Sequence, residues 1–394
     1  MAVISYKCPN CGGDLKFDPA SQSYACEYCL SKFTQKQLDE MKDQVQATAE
    51  EEHVAADGAA GAAGVADGAA GVADGVAGAV DGGADLGAAG GAAAGGHGAS
   101  GSSGQAVVYH CPSCGAEIVT DESTAATFCY YCHNPVVLEG RLSGDYLPNH
   151  VLPFAIDKKK ALQIFEQWIG RKKYIPKAFY SKDQIDKMTG VYFPYWLYSC
   201  DVDGKLDAEG IKRKSWVVGN LRYTQTDKYD VSREGEMQVQ HVTRNALSKA
   251  NRQLIEGVLP FEMDKIQPFQ MSYLSGFMAE RRDMGREKFQ DEVQQEVKTF
   301  AGQTLKSEVS GYDAVQVRNQ TADLKNEAWD YALMPVWTLT YKEPKDGKIY
   351  YFACNGQTGK ICGELPVDNG RLMTLFASIF VPLFVVLMIV GYFL

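Results

Sequence analysis

The sequence lacks the short motifs of the common enzyme classes. It has no Gly-x4-Gly-Lys-Ser/Thr phosphate loop, no His-Glu-x-x-His metalloprotease helix and no Gly-x-Ser-x-Gly nucleophile elbow. The six histidines are scattered, and His150 and His241 have no partner at catalytic spacing. No secretory signal leads the chain. We therefore expect a protein that is not an enzyme and that works in a reducing compartment.

Basic residues are missing from one functionally important stretch. Residues 105–140 contain neither Lys nor Arg, although the whole chain has 39 of them. The stretch carries only acidic charges, at Glu117, Asp121, Glu122 and Glu139. Binding to a nucleic-acid backbone depends on Lys and Arg, which displace counterions from the phosphates. This segment is therefore poorly suited to contact nucleic acid.

Aromatic residues are absent from residues 54–104, which consist mainly of Ala, Gly, Asp, Val and Ser. Such a composition offers little surface to bury, so we expect a disordered linker with a span on the order of 40 Å, which would let the first ribbon search a considerable volume around the second. Before it, Thr34 and Gln37 match a capping box and predict a short acidic helix over residues 35–53. That helix is either solvated or a docking helix for a partner.

Cysteine, in contrast, is abundant and regularly spaced. Two Cys-x-x-Cys pairs separated by fourteen residues occur twice, 103 positions apart. Four thiolates in this arrangement are typical of a tetrahedral Zn²⁺ site, while disulfides and an iron site are the alternatives. We predict two Zn²⁺ sites. Their ligands are Cys8, Cys11, Cys26 and Cys29 in the first ribbon, and Cys111, Cys114, Cys129 and Cys132 in the second.

The duplication extends beyond the ligands. A glycine, Gly12 or Gly115, follows the first Cys pair of each copy, where a positive φ lets backbone N–H groups turn toward sulfur. Leu30 and His133 replace this glycine after the second pairs, which leaves His133 as an alternative metal ligand. The other matched positions are Tyr6, Pro9, Asp14 and Leu15 with Tyr109, Pro112, Glu117 and Ile118.

The C-terminus carries a long apolar run. Residues 372–394 contain no charge and are long enough for roughly 35 Å of helix, which predicts a membrane span over 371–394. A buried core helix is the alternative. Lys360 and Arg371 precede the span, so the positive-inside rule predicts a single-pass protein of the cell membrane with its N-terminal bulk in the cytoplasm.

Between the second ribbon and the span, residues 141–370 predict a mainly antiparallel α+β domain. Asp157 is expected to cap a helix with an apolar face, and a second helix is expected over 284–302. Asp203-Gly204 and Gly219-Asn220 are predicted turns. The predicted strands are 191–202, 214–224, 228–242, 309–319, 330–342 and 347–354.

Two further patterns in this domain have alternative interpretations. The related segments 193–196 and 334–337, Phe-Pro-Tyr-Trp and Met-Pro-Val-Trp, are either core or an aromatic cage for a ligand. The basic clusters 158–160, 171–173 and 212–214 are either solvated or face anionic lipid. Cys200, Cys354 and Cys362 are expected to be small buried apolar residues.

Five runs of the chain are distinctive when taken together with the duplicated ribbons. They are 123–142, 190–197 (Gly-Val-Tyr-Phe-Pro-Tyr-Trp-Leu), 274–277 (Leu-Ser-Gly-Phe), 334–337 and 355–360 (Asn-Gly-Gln-Thr-Gly-Lys). With them the chain resembles a family of bacterial membrane proteins with transcription-factor-IIB-type zinc ribbons. The resemblance covers both ribbons and most of the chain after residue 105, but not the linker. It implies a role in envelope stress beside a phage-shock-protein-A-like coat protein, an SPFH-domain protein and a second membrane subunit.

These observations predict a membrane-anchored adaptor whose ribbons bind other proteins. The alternatives are a membrane-tethered nucleic-acid-binding protein of transcription or replication and a redox sensor that uses the ribbon thiols. The expected organisation is ribbon 1 (1–34), acidic helix (35–53), linker (54–104), ribbon 2 (105–140), α+β domain (141–370) and membrane helix (371–394).

Overall fold

A computed structural model describes residues 3–40, 107–129, 131–344 and 347–393. The expected linker, 54–104, lies outside the described residues, as does most of the acidic helix, of which residues 35–40 are helical. The chain forms two compact units. One comprises Met1–Thr34 and Ala106–Leu394, and the other is Gln35–Gln105.

The first unit is a mixed α/β structure dominated by strands. Its helices are α1 (Lys158–Gly170), α2 (Lys182–Ile185), α3 (Arg252–Gly257), α4 (Gln290–Ser307) and α5 (Asn369–Phe393). Its strands are β1 (Val3–Ile4), β2 (Leu15–Asp18), β3 (Ser23–Cys26), β4 (Lys32–Phe33), β5 (Val107–His110), β6 (Glu117–Thr120), β7 (Thr124–Phe128), β8 (Pro135–Leu138), β9 (His150–Val151), β10 (Thr189–Val218), β11 (Leu221–Asn245), β12 (Gln267–Pro268), β13 (Met278–Glu280), β14 (Ala314–Lys342), β15 (Ile349–Asn355) and β16 (Ile361–Gly363).

One large sheet organises the unit. Its main path is β1-β8-β7-β13-β10-β14-β15-β16, with β11 beside β10 and the short β9 and β12 at the side. Most neighbours are antiparallel, and among the described strands only β10–β13 and β14–β9 are parallel. β2, β3 and β4 form a separate sheet in the first ribbon, and β5 pairs with β6 in the second. The expected mainly antiparallel α+β class is therefore confirmed.

Three strands are far longer than expected. β10 has 30 residues, which corresponds to about 100 Å of extended chain. The turn predicted at Asp203-Gly204 is wrong, because Gly204 lies inside β10 opposite Gly235 and Ala322. A Cβ at Gly204 would come within 2.8 Å of Leu305 Cδ1. The glycine therefore leaves room for a helix to pack on the strand, and it does not form a turn.

That helix is α4, which lies across the long strands. Val293, Val297 and Ala301 pack against Tyr198, Cys200 and Val202 of β10, and Leu305 packs against Leu206. The helix spans Gln290–Ser307, so the predicted span of 284–302 began too early and ended too soon. This packing buries apolar side chains on one face of β10, and neighbouring side chains of β11 and β14 are partly buried beside them.

Beyond Ile211, where β14 begins to pair, β10 and β11 continue as a two-stranded hairpin. The predicted Gly219-Asn220 turn joins them, and Gly219 has a φ of 62°. Trp216 stacks on its cross-strand partner Tyr223 with ring centroids 5.9 Å apart. Both residues are nearly half exposed, so this hairpin projects beyond the packed part of the sheet.

The family-like runs converge on one buried aromatic ring, that of Phe154. Phe277 stacks on it at 4.2 Å, and Tyr192 and Trp337 contact it at 5.0 and 5.1 Å between centroids. A Cβ at Gly356 would lie 2.5 Å from the Phe154 ring. These residues come from all four runs that follow the second ribbon. Tyr195, Trp196 and Trp337 of the two related segments are buried, which favours the core interpretation over the aromatic cage.

The first ribbon packs against the same junction. Phe17 contacts Tyr273 at 5.4 Å and Phe277 at 6.5 Å between ring centroids. The Phe17 N–H donates to Ser275 O at 3.0 Å, and Gln22 Nε2 donates to Phe154 O at 2.7 Å. The strand β1 also pairs with β8 of the second ribbon. The first ribbon is therefore docked on the domain, and the expectation that it moves freely around the second is wrong.

Two of the helices match features predicted from the sequence. α1 is capped as predicted, since Asp157 Oδ1 accepts from Lys160 N at 2.7 Å, and its Phe165 packs on Phe352 of β15. α5 has 25 residues, about 37 Å of helix, and none of its apolar window is buried. The buried-core alternative for this segment is therefore wrong. α5 is a candidate membrane-spanning helix by length and composition.

Candidate metal centres

The four cysteines of the first ribbon converge on one point. The Sγ atoms of Cys8 and Cys29 are 3.5 Å apart, as are those of Cys11 and Cys26. All four sulfurs lie within 4.8 Å of one another. A tetrahedron of thiolates with metal–sulfur bonds of about 2.3 Å has edges of about 3.8 Å. The cluster fits such a cation.

The second ribbon repeats this geometry. The Sγ atoms of Cys111 and Cys132 are 3.6 Å apart, and those of Cys114 and Cys129 are 3.7 Å apart. All eleven cysteines are free thiols, so the disulfide alternative is wrong. His133 is outside the ligand group, which the four cysteines complete. An iron ion would fit the same ligands, so the geometry alone does not identify the metal.

Each Cys pair sits in the same backbone turn. The N–H of Gly12 donates to Cys8 O at 2.8 Å, and the N–H of Leu30 donates to Cys26 O at 3.0 Å. Gly12 and Leu30 have φ values of 72° and 60°, and Gly115 and His133 in the second ribbon have 75° and 57°. Leu30 and His133 therefore adopt the left-handed backbone that glycine provides in the first turn. Leu30 and His133 occupy the same position after their Cys pair as Gly12 and Gly115, and this match in the sequence was the signal for the left-handed backbone.

Hydrogen bonds prepare one thiol in each ribbon for metal binding. The side-chain hydroxyl and backbone N–H of Ser31 lower the pKa of Cys29 to about 6. Burial acts against ionisation of Cys129, but the backbone N–H groups of Cys132 and Tyr131 lower its pKa to about 7. Burial and the other sulfurs of its cluster raise the pKa of Cys132 to about 12. A cation must therefore displace protons from part of each cluster as it binds.

This arrangement predicts an acid-dependent loss of metal. A bound cation keeps the thiolates ionised, so we expect release only as the pH falls below about 6, the pKa of Cys29 without a cation. Ser31→Ala removes a hydrogen bond to the Cys29 thiolate and should raise its pKa. Release from the first ribbon should then begin at a higher pH, while release from the second is unchanged. A chromophoric chelator measures both steps, and identical curves for the two proteins would contradict the assignment.

The surroundings of the clusters tie them to the rest of the unit. Lys7 Nζ lies 2.6 Å from Asp14 Oδ1 and 3.4 Å from Ser113 Oγ, so it links the two ribbons. Arg141 is buried and donates from Nε to Tyr109 Oη at 2.7 Å. Because β7 and β8 carry the second ribbon into the large sheet, this ribbon is continuous with the domain.

Within the described residues, the remaining cysteines and the three basic clusters do not come together at one place. Cys200 and Cys354 are buried as expected, burial raises the pKa of Cys354 to about 12, and Cys362 is half-buried. The basic cluster 158–160 begins α1 and 171–173 follows its end, whereas 212–214 lies on the distal hairpin. The three clusters therefore do not form a single basic face.

Comparison with known proteins adds one similarity. A Bacillus subtilis (strain 168) protein with the name "Uncharacterized protein YdjG" is 29% identical over 243 residues, which cover 62% of this chain and 71% of YdjG. No protein-family profile matches the chain. No solved structure matches it. The name of YdjG states no activity, so the functional argument depends on the geometry of this chain.

Proposed function

We propose that this chain is a membrane-anchored, zinc-binding adaptor that is not an enzyme. In this proposal α5 spans the cell membrane, the rest of the first unit lies in the cytoplasm, and the ribbons present a protein-binding surface. The support is the combination of two closed thiolate clusters with one long, unburied apolar helix.

Zn²⁺ is the metal that this ligand set favours. Four cysteine thiolates in a tetrahedral arrangement are typical of structural zinc. They would leave no open position for water or substrate, so each ion would fold and stiffen its ribbon without acting on a reactant. Metal analysis of the purified full chain tests the identity, with two zinc ions per chain as the expected result.

The observation that carries the adaptor proposal is a pair of exposed tyrosines at equivalent positions. Tyr28 and Tyr131 lie inside the second Cys pair of each ribbon and are 75% and 73% exposed. Leu30, beside the first, is 80% exposed. In contrast, Tyr24 and Tyr109 are buried within their ribbons. Tyrosine is enriched in protein interfaces, where a rigid ring contributes contact area together with a hydroxyl.

The resemblance to the zinc-ribbon membrane family supplies the proposed partners. These are a phage-shock-protein-A-like coat protein, an SPFH-domain protein and a second membrane subunit. A coat oligomer presents many copies of one surface. Two equivalent tyrosines on one anchored chain would therefore bind it with increased effective concentration.

The proposal predicts that Tyr28→Ala with Tyr131→Ala strongly reduces partner recovery. The full-length chain is crosslinked in its native membranes, purified and compared by mass spectrometry. Loss of interface hot spots worth about 2 kcal/mol each should reduce recovery at least tenfold. Tyr223→Ala is the matched control, since Tyr223 is also exposed but lies on the distal hairpin.

Both variants should retain the same metal content as the unaltered chain. Equal recovery of partners by the double variant and the control would contradict the adaptor proposal. Salt-dependent binding of the purified chain to DNA would instead support the nucleic-acid alternative.

A further inference from the structure

An open cavity of about 590 Å³ lies where the candidate membrane helix leaves the domain. Its apolar wall includes Phe165 and Ile169 of α1 and the nearby Ile175, all of them buried. Its basic lining residues are Lys172, Lys173 and Arg371. The cavity thus combines an apolar wall with three cationic side chains.

The cavity is joined directly to the start of α5. The N–H of Asp368 donates to Tyr174 O at 2.7 Å, and Arg371 Nη1 donates to Ile175 O at 3.3 Å. Tyr174 has a φ of 65°, a left-handed backbone that non-glycine residues adopt infrequently. Arg371 is the third residue of α5. If α5 spans a membrane, the cavity therefore lies near the level of the lipid headgroups.

The charges around the cavity favour an anionic ligand. Lys172 and Lys173 are exposed and, within the described part of the chain, form no ion pair. Arg371 Nε is 3.4 Å from Asp368 Oδ2, which partly balances its charge. Glu166 is the acidic residue of the lining. The two lysines therefore leave an excess of positive charge beside the apolar wall.

We propose that this cavity binds an anionic phospholipid of the membrane that holds α5. Lys172, Lys173 and Arg371 would contact the phosphate, and the first methylenes of the lipid would lie over Ile169 and Ile175. A free phosphate would use the cations but leave the apolar wall uncovered, and a neutral lipid would use the wall but leave the cations unpaired. The proposal depends on membrane anchoring by α5 but not on the adaptor role of the ribbons.

The test uses the purified full-length chain in a non-ionic detergent. Phosphatidylglycerol or phosphatidylcholine is titrated, and bound lipid is counted by native mass spectrometry. We expect one phosphatidylglycerol to be retained at least tenfold more tightly than phosphatidylcholine. Lys172→Gln with Lys173→Gln should remove most of this preference, since each close cation contributes to anionic-lipid attraction.

Two further variants separate a specific cavity from general surface charge. Lys159→Gln with Lys160→Gln removes the same charge at the other end of α1 and should leave the preference intact. Gly170→Phe keeps every charge but adds a ring where a Cβ meets no atom within 4 Å. It should weaken lipid binding, and circular dichroism checks that the variant is folded.

Three results would overturn the proposal. Equal losses for the two lysine pairs would indicate diffuse electrostatic attraction, and equal retention of the two lipids would exclude headgroup selection. Displacement of the lipid by millimolar inorganic phosphate would identify a free-phosphate site. The adaptor role is tested independently of lipid binding, because Lys172→Gln with Lys173→Gln should leave the crosslinks that depend on Tyr28 and Tyr131 unchanged.

Discussion

Cys129→Ser should destabilise most of the first unit, whereas the equivalent Cys26→Ser should affect mainly the first ribbon. Both cysteines are buried ligands at matched positions. The two cysteines differ in the sheet to which their ribbon belongs. Cys129 follows β7, which pairs with β8 and β13 in the large sheet, but Cys26 ends β3 of a small separate sheet.

The expected difference is large because metal binding supplies folding free energy. Structural Zn²⁺ contributes about 10–16 kcal/mol to isolated zinc-finger peptides, which is comparable with the whole stability of a domain. Loss of only about 3 kcal/mol would lower the Tm of a unit of this size by roughly 4–5 °C. We expect at least this decrease for Cys129→Ser and a much smaller one for Cys26→Ser.

Metal content and unfolding are measured on the same detergent-solubilised protein. Each ligand variant should retain one metal ion in place of two. Limited proteolysis of Cys26→Ser should cut within residues 1–34 and spare the domain. Cys362→Ser is the control, because Cys362 lies outside both clusters and should keep two ions. Equal decreases in Tm for the two ligand variants would show that the second ribbon does not support the sheet.

Phe154→Ala should be the most destabilising substitution in the core of the domain. The ring is fully buried and contacts Phe277, Tyr192 and Trp337. Its removal leaves a cavity among aromatic rings that cannot collapse easily, so the free energy of unfolding should fall by about 3–5 kcal/mol. Chemical denaturation followed by tryptophan fluorescence measures the change.

Phe300→Ala provides the matched comparison, because Phe300 is on α4 but 56% exposed. Its effect should be within about 0.5 kcal/mol. Phe154→Leu should lie between the two, since it keeps part of the buried volume. A Phe154→Ala protein with unchanged stability would mean that the aromatic rings do not support the fold, and it would reopen their interpretation as a ligand cage.

The family-like runs illustrate how sequence and structure contribute. The runs could be recognised individually, but nothing in their spacing indicates that Gly356 and Phe277 both lie against the ring of Phe154. Asn355 is similar. Its buried side chain donates to Val258 O at 2.9 Å and to Pro260 O at 3.2 Å, nearly 100 residues away. These contacts give the motifs a structural role that sequence reasoning left open.

The sequence by itself determined the features that depend on neighbouring residues. The Cys-x-x-Cys spacing places two sulfurs in one turn, Asp157 reaches the N–H of Lys160 three residues on, and an uncharged run makes α5 suited to a membrane. The Gly219-Asn220 turn also joins adjacent segments. Such patterns are readable because the interacting groups are close along the chain.

Only the tertiary structure decided which distant segments pair. Gly204 is typical of a turn in its local sequence, yet it lies in a strand. A side chain at this position would collide with Leu305 of α4, so glycine is required for the helix to pack there. The first ribbon is docked because Phe17 packs near Phe277, which is more than two hundred residues away in the sequence. The second ribbon is part of the sheet because β7 pairs with β13. Packing and strand pairing between distant segments leave no fixed spacing in the sequence, so local patterns could not predict them.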